Sequence, residues 1–274
     1  MAVSARQTIV VKLGGEVVRS AELALLAGDL TALAEAGHGV VVVHGGGPQA
    51  TELQKALGQT PKVVAGRRIT DAATLEVMKM AVAGQVNVDL CAAIVARGGR
   101  PVGLHGASSL VVRAEKRPPR VVSGAGPEPI DFGHVGDVKG VRRELVELLV
   151  GGGYIPVVAC LGADEKGQVF NINADIVASE MASTLSADAL FLVTDVPAVL
   201  RDVADPSSRI ARMTVAEAKE LITEGVVTKG MIPKLDESFA ALARGVGRVH
   251  ILGKTDLLRA IQDPSSVGTV LVRT

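Results

Sequence analysis

The sequence predicts an α/β protein, a three-layer αβα sandwich with a central, mostly parallel sheet covered by helices on both faces. Three observations lead there. Short β-branched runs alternate with longer helical stretches along nearly the whole chain, the order expected of βαβ units with right-handed crossovers. Hydrophobic residues make up 48% of the sequence, while aromatics are limited to one Tyr and four Phe; such small aliphatic side chains suit strands buried on both faces. A length of 274 residues accommodates one large α/β domain or two lobes that share a sheet.

Strand-like runs fall at 8–12, 39–44, 101–104, 154–159, 189–194, 248–252 and 269–272. Helix candidates lie between them, near 20–37, 48–58, 71–97, 140–150, 173–186, 214–223, 233–245 and 255–262. The stretch 108–139 breaks the rhythm with short Val-rich pieces, Gly and Pro, and reads as β-hairpins, a lid or an edge addition. A boundary between two lobes falls near 180–188, which divides the chain into 1–184 and 185–274.

Several function classes are excluded or weakened by composition. Formal net charge is zero and no long basic run is present, which argues against nucleic acid or an anionic membrane as partner. The most basic stretch, 113–120 (RAEKRPPR), reads as a solvated loop. Cys91 and Cys160 sit in apolar contexts without a CxxC partner, so buried thiols are expected rather than disulfides, a zinc site or a nucleophile. The first strand begins too early for a signal peptide, and no apolar stretch reads as a membrane span. A reducing, cytoplasmic location is the expectation.

The chemistry-bearing residues gather where strands end, and ligands of open α/β sheets bind beyond those carboxyl ends. The first strand runs into Lys12, Leu13, Gly14 and Gly15; the second into His44, Gly45, Gly46, Gly47, Pro48 and Gln49. Glycines let backbone approach a ligand, and a following helix N-terminus favours an anion. Tight turns alone would also want glycines, but two such loops with a lysine ahead of one favour a phosphate or carboxylate site. Gly45-x-Gly47-x-x-Ala50 formally satisfies the dinucleotide fingerprint, yet 65–68 (AGRR) supplies no acidic residue where one is required. A GxxxxGK[ST] loop is absent. His44 reads as a structural strand-end residue, and no HxxH or HxxxH spacing occurs. Asn171, Asn173 and Asp175 open a helix, where one of them is an ordinary cap. Lys234 sits near another helix N-terminus, unfavourably against the dipole, so Asp175 or a bound phosphate should compensate it.

Taken together, VVKLGGE, VVVHGGGPQA, GRRITD, AGQVN, YIPVVA, FNINAD, LVTDV and KGMIPKL resemble, in order and spacing, the N-acetylglutamate kinases of the amino-acid kinase superfamily. The resemblance covers about residues 9–270. It implies the amino-acid kinase fold, with acyl-amino-acid binding and dimerisation in 1–184 and nucleotide binding in 185–274. It implies phosphorylation of the side-chain carboxylate of N-acetyl-L-glutamate, the second step of arginine biosynthesis from glutamate, with ATP and its Mg2+ and with no metal held by the protein alone. Lys12 and Lys234 would stabilise the transferring phosphoryl group, and Asp175 would hold those lysines. Gly46 and Gly47 would bind substrate through amides, Arg68 its α-carboxylate, Asn171 its acetylamino portion, with Asn173 beside them. Gly14, Gly15, Asp195, Val196, Pro197, Ala198, Val199, Leu200, Val226, Val227 and Thr228 would line the nucleotide site. Ala198 departs from the Gly of many relatives and should crowd that loop modestly. Only 1–7 precede the first strand, too short for the N-terminal helix of arginine-inhibited hexamers, and 253–257 lacks their His and Glu. The expectation is therefore a homodimer not inhibited by arginine. The competing readings are a kinase for N-modified α-aminoadipate in lysine biosynthesis, a catalytically inert amino-acid sensor and, more distantly, a dinucleotide oxidoreductase.

Overall fold

The computed structural model describes residues 6–122, 125–202, 204–227 and 231–273. Its centre is an eight-stranded sheet: β1 (Thr8–Leu13), β2 (Gly39–His44), β3 (Pro101–Leu104), β4 (Ile155–Ala159), β5 (Ala189–Val193), β6 (Arg212–Thr214), β7 (Arg248–Leu252) and β8 (Thr269–Val272). Their spatial order is β6-β8-β7-β5-β1-β2-β4-β3. The six strands from β7 to β3 are parallel; β8 runs antiparallel to β7, and β6 follows β8. Seven of the eight coincide with the runs read from sequence. The exception, β6, is an edge strand of sequence RMT, too short and polar to show a β pattern.

Helices α1 (Leu23–Glu35), α2 (Gly47–Ala56), α3 (Ala72–Val95), α4 (Arg143–Gly151), α5 (Ala174–Thr184), α6 (Val215–Thr223), α7 (Ile232–Ala243) and α8 (Leu257–Gln262) cover the sheet. Strand alternation divides the interior in two. Val10, Val41 and Val43 pack with α5 residues Val177, Ala178 and Met181 on one face. Ile9, Val11, Leu13, Val40 and Val42 pack with Leu26 and Leu30 of α1 and Leu257 of α8 on the other. Helix α3 reaches both, through Val82 on the first face and Val86 and Leu90 on the second. Its middle, Lys79–Val86, is π-helical. At 24 residues and mean hydropathy 1.3, α3 is long and apolar enough by those criteria to cross a bilayer. That corrects the expectation that no segment is. Its apolar residues Val77, Ala81, Val82, Leu90 and Ile94 are wholly buried against the sheet instead.

The stretch 108–139 forms the expected hairpin, Val112–Lys116 antiparallel to Gly136–Val141. It joins Leu161–Ala163 and Val169–Asn171 in a second, four-stranded sheet. The solvated-loop reading of 113–120 needs correction: it begins in a strand, and Arg117 is only 7% exposed, its Nη2 2.6 Å from Asp137. The other basic residues there, such as Arg113 and Arg120, are not so buried, so run composition could not single out Arg117.

Candidate active site

The two glycine-bearing strand ends meet at the carboxyl edge of the sheet. Gly45 N–H donates to Leu13 O at 3.0 Å, which ties the second loop to the first strand. A Cβ on Gly15 would lie 2.7 Å from Gln49 Oε1, 2.8 Å from Pro48 Cδ and 3.1 Å from Gly46 Cα. A Cβ on Gly46 would lie 3.0 Å from Val82 Cγ2. Glycine at 15 and 46 thus follows from close packing of loop on loop. Gln49 Nε2 donates to Gly15 O at 2.8 Å, fixing the first loop from α2.

Lys12 precedes the first loop and projects to the α5 side of the sheet. Its Nζ lies 2.9 Å from Asp175 Oδ1, and Lys234 Nζ lies 3.5 Å from Asp175 Oδ2. The three side chains are 9%, 13% and 24% exposed for Lys12, Asp175 and Lys234. Asn173 caps α5, its Oδ1 accepting from Asp175 N at 2.9 Å, and Asp175 in the first turn is favoured by the helix dipole. Lys234 opposes the dipole of α7, and Asp175 compensates it, one of the two partners sequence had left open. Burial alone would raise the Asp175 carboxyl; attraction to Lys12 and Lys234, with their hydrogen bonds, outweighs it and holds the group below its ordinary value. Burial, then repulsion by Lys12, lowers Lys234 despite the opposing pull of Asp175. The result is two ammonium groups held against each other's charge by one ionised carboxylate.

Arg68 lies on the short strand Arg67–Arg68 and reaches α2, where it donates to Gln54 Oε1, to Thr51 Oγ1 at 2.6 Å and to Gly47 O at 3.0 Å. Its guanidinium is thereby beside the second glycine loop. Asn171 Nδ2 donates to the buried Thr70 Oγ1 at 3.0 Å, and Asn171 N–H donates to His134 O at 2.9 Å. Gln49, Thr51, Gln54 and Thr70 were missed as site residues; each lies inside or close to a quoted motif, but their roles appear only through the contacts.

On the other side of β1, Asp195, Val196 and Pro197 are exposed beyond β5, while Ala198 and Val199 are buried and Leu200 is half-buried. Lys254 Nζ pairs with Asp195 Oδ1 at 2.5 Å, and that hydrogen bond raises the Lys254 ammonium above its ordinary value. Ala198, 2% exposed, has its methyl packed inward. Val226 and Val227 follow α6 in a turn and share a core cluster with Val199. Thr228 lies outside the described residues. Gly14, N-terminal to the short helix Gly15–Val18, has Lys12 Nζ at 4.0 Å from the position of a Cβ. Cys91 is half-buried and Cys160 buried, and burial pushes their thiols up to about 11 and 12. Among the described residues, no group of three His, Cys, Asp or Glu side chains converges to hold a metal.

Residues 7–253 match the amino acid kinase family. The acetylglutamate kinase of Sorangium cellulosum is 63% identical over 96% of this chain and 94% of its own length. That of Anaeromyxobacter dehalogenans is 59% identical over 97% and 99%. Among solved structures, N-acetylglutamate synthase from Neisseria gonorrhoeae, complexed with coenzyme A and N-acetyl-glutamate, superposes with TM-score 0.82 at 25% identity; this chain is covered to 98% and spans 60% of that one. Giardia carbamate kinase shares the fold at TM-score 0.70 and 16% identity, over 99% of this chain and 100% of its own. With a family match running through both glycine loops and Lys12, Asp175 and Lys234, the chain belongs to the amino acid kinase family.

Proposed function

We propose that the protein transfers the γ-phosphoryl group of ATP to the side-chain carboxylate of N-acetyl-L-glutamate, giving N-acetyl-L-glutamyl 5-phosphate and ADP in arginine biosynthesis. The observation that carries this reading is the Lys12–Asp175–Lys234 constellation, in a chain 56–63% identical to several acetylglutamate kinases. A glutamyl-type carboxylate has a pKa of ~4.3 and is already ionised at neutral pH, so the acceptor needs no general base. Its oxygen forms a bond to the γ-phosphorus as the bond to the β–γ bridging oxygen breaks, and ADP leaves with that electron pair. The transferring group is largely metaphosphate-like, with negative charge spread over its oxygens. Positioned cations and N–H groups are what such a transition state requires.

Lys12 and Lys234 supply the cations, and Asp175 organises them. The amides of Gly46 and Gly47, at the start of α2, bind the acceptor, as helix N-termini favour anions. Arg68 pairs with its α-carboxylate and Asn171, held by Thr70, with its acetylamino group; Asn173, already the cap of α5, borders them. Gly14, Gly15, residues 195–200 and 226–228 line the nucleotide site. Mg2+ arrives with ATP and neutralises its phosphate oxygens. Residues 1–184 are the acceptor-binding lobe and 185–274 the nucleotide lobe. A homodimer in the cytoplasm, with neither nucleic acid nor membrane as partner, completes the reading. The large apolar side chains Met80, Val88 and Val95 on α3, 51%, 61% and 60% exposed, support a protein partner there, and light scattering tests it.

The function is tested with purified protein, MgATP and either N-acetyl-L-glutamate or N-acetyl-α-aminoadipate, with hydroxylamine trapping acyl phosphate as a coloured hydroxamate. Signal with N-acetylglutamate is expected. Preference for the acceptor one methylene longer would move the enzyme to lysine biosynthesis, a discrimination worth only about 1–3 kcal/mol. No signal with either from folded protein would end the kinase reading.

A further inference from the structure

Behind the second glycine loop lies a histidine for which the phosphoryl transfer itself has no use. His44 ends β2 and is wholly buried. Its Nδ1 lies 2.9 Å from Gly45 O, and its Nε2 lies 2.9 Å from Asn87 Nδ2, which also donates to Val157 O at 2.9 Å. A carbonyl oxygen only accepts, so Nδ1 carries the proton. An amide nitrogen only donates, so Nε2 is bare. Both contacts are satisfied by one species, the neutral Nδ1–H tautomer, and burial lowers the ring to about 4, which keeps it neutral at physiological pH.

The faces of the sheet give this arrangement a direction. In the register of β1 and β2, Lys12 pairs with Val43, and Leu13 with His44. Val43 belongs to the α5-side core and Leu13 to the opposite one, so alternation puts Lys12 on the α5 face and His44 on the other. The Gly45–Gly46 peptide is planar and trans, so its C=O and N–H point to opposite sides. With the Gly45 carbonyl drawn toward the His44 ring, the Gly46 N–H is turned to the face that carries Lys12 and Asp175. The π-helical turn of α3 supports the same loop, Val82 and Val86 standing 3.0 Å and 3.3 Å from where a Gly46 Cβ would be. Asn87 follows that turn directly, and Gly103 leaves room for it, since a Cβ there would fall 2.2 Å from Asn87 Oδ1.

We infer that His44 and Asn87 are positioning residues that aim the Gly46 amide at the acceptor beside Lys12. This rests on the proposed function, in which that amide binds the acceptor.

His44→Asn and His44→Gln separate positioning from packing. Both are neutral and both leave space, but the Asn amide nitrogen falls where Nδ1 was and the Gln amide nitrogen where Nε2 was. His44→Asn keeps a donor for Gly45 and should retain kcat/KM for N-acetylglutamate within about fivefold of wild type. His44→Gln should lose at least about tenfold more, part of the 10²–10³ typical of a lost oxyanion donor, at similar KM for ATP and similar Tm. Equal activity in the two variants, or losses that follow Tm, would overturn the inference. If either variant does not fold, 15N-histidine NMR of the wild type decides: a protonated Nδ1 and bare Nε2 are expected, and the Nε2–H tautomer would refute it. A wild type that phosphorylates neither acceptor would instead sink the proposed function and leave the tautomer result standing.

Discussion

The two sides of the candidate site are built differently. On the proposed acceptor side most groups are held by a second group: Arg68 by Gln54 and the half-buried Thr51, Asn171 by Thr70, Gly45 by His44. Thr70, Gln54 and His44 are at most 1% exposed. On the proposed nucleotide side, Asp195, Val196 and Pro197 are exposed. The loop is tied by the Lys254 ion pair and, further along, by Val199 N–H donating to Thr269 Oγ1 at 2.8 Å. Buried polar contacts are stronger and more directional than exposed ones. In the proposed function, the bracing is concentrated where a carboxylate must be aligned in line with phosphorus. A nucleotide, with a larger contact surface, tolerates a simpler seat.

The comparison ranks the consequences of substitution. Lys12→Ala or Lys234→Ala should lower kcat by about 10²–10³, with the Kd for ATP, measured by calorimetry, changed only a few-fold. Near-normal turnover in either would remove these lysines from the chemistry. Asp175→Asn should lose on the order of 10² in kcat. It also removes the attraction that opposes the downward shift of Lys234, so Lys234 should release its proton at lower pH and the alkaline limb of the kcat–pH profile should move down. An unmoved limb would mean that Asp175 does not govern Lys234.

Smaller effects sharpen the contrast between the two sides. Arg68→Lys loses a planar fork with three acceptors and should raise KM for N-acetylglutamate about tenfold while kcat stays within about twofold. Lys254→Ala breaks a pair whose Asp195 side chain is 54% exposed. Such pairs contribute about 0.2–1 kcal/mol, so KM for ATP should rise by no more than about fivefold, with KM for the acceptor unchanged. A larger effect at Lys254 than at Arg68 would reverse the comparison.

How much of this was legible differs by element. Most strands of the main sheet could be read because they are short, largely buried aliphatic runs between glycines and helix-like stretches, and β6 could not because its three residues carry no run. Lys12, Asp175 and Lys234 could be proposed from strand-end and helix-start positions, which sequence states. Their pairing through Asp175 was implied by the family resemblance, while the packing of α5 and α7 that brings it about is not written in any local pattern. Asn173 shows the ambiguity of local signals, since its side chain caps α5. Gln49, Gln54, Thr70 and Asn87 are ordinary helix or turn residues in one dimension. Their roles arise from contacts between segments up to 101 positions apart, as between Thr70 and Asn171. The π-helical turn of α3 is likewise a product of packing; the segment KMAVAGQV reads simply as helix.

The central claim is that positioned cations act on an acceptor already ionised, with no proton-accepting base. The most direct test is the wild-type pH profile of kcat/KM for N-acetylglutamate at saturating MgATP. Because the acceptor pKa is ~4.3 and burial holds His44 near 4 and His250 near 3, the profile should be flat from about pH 6 to 8. On the alkaline side it should fall as Lys234, lowered chiefly by burial, loses its proton. A unit-slope rise between about pH 6 and 7 would reveal a catalytic base and contradict the account.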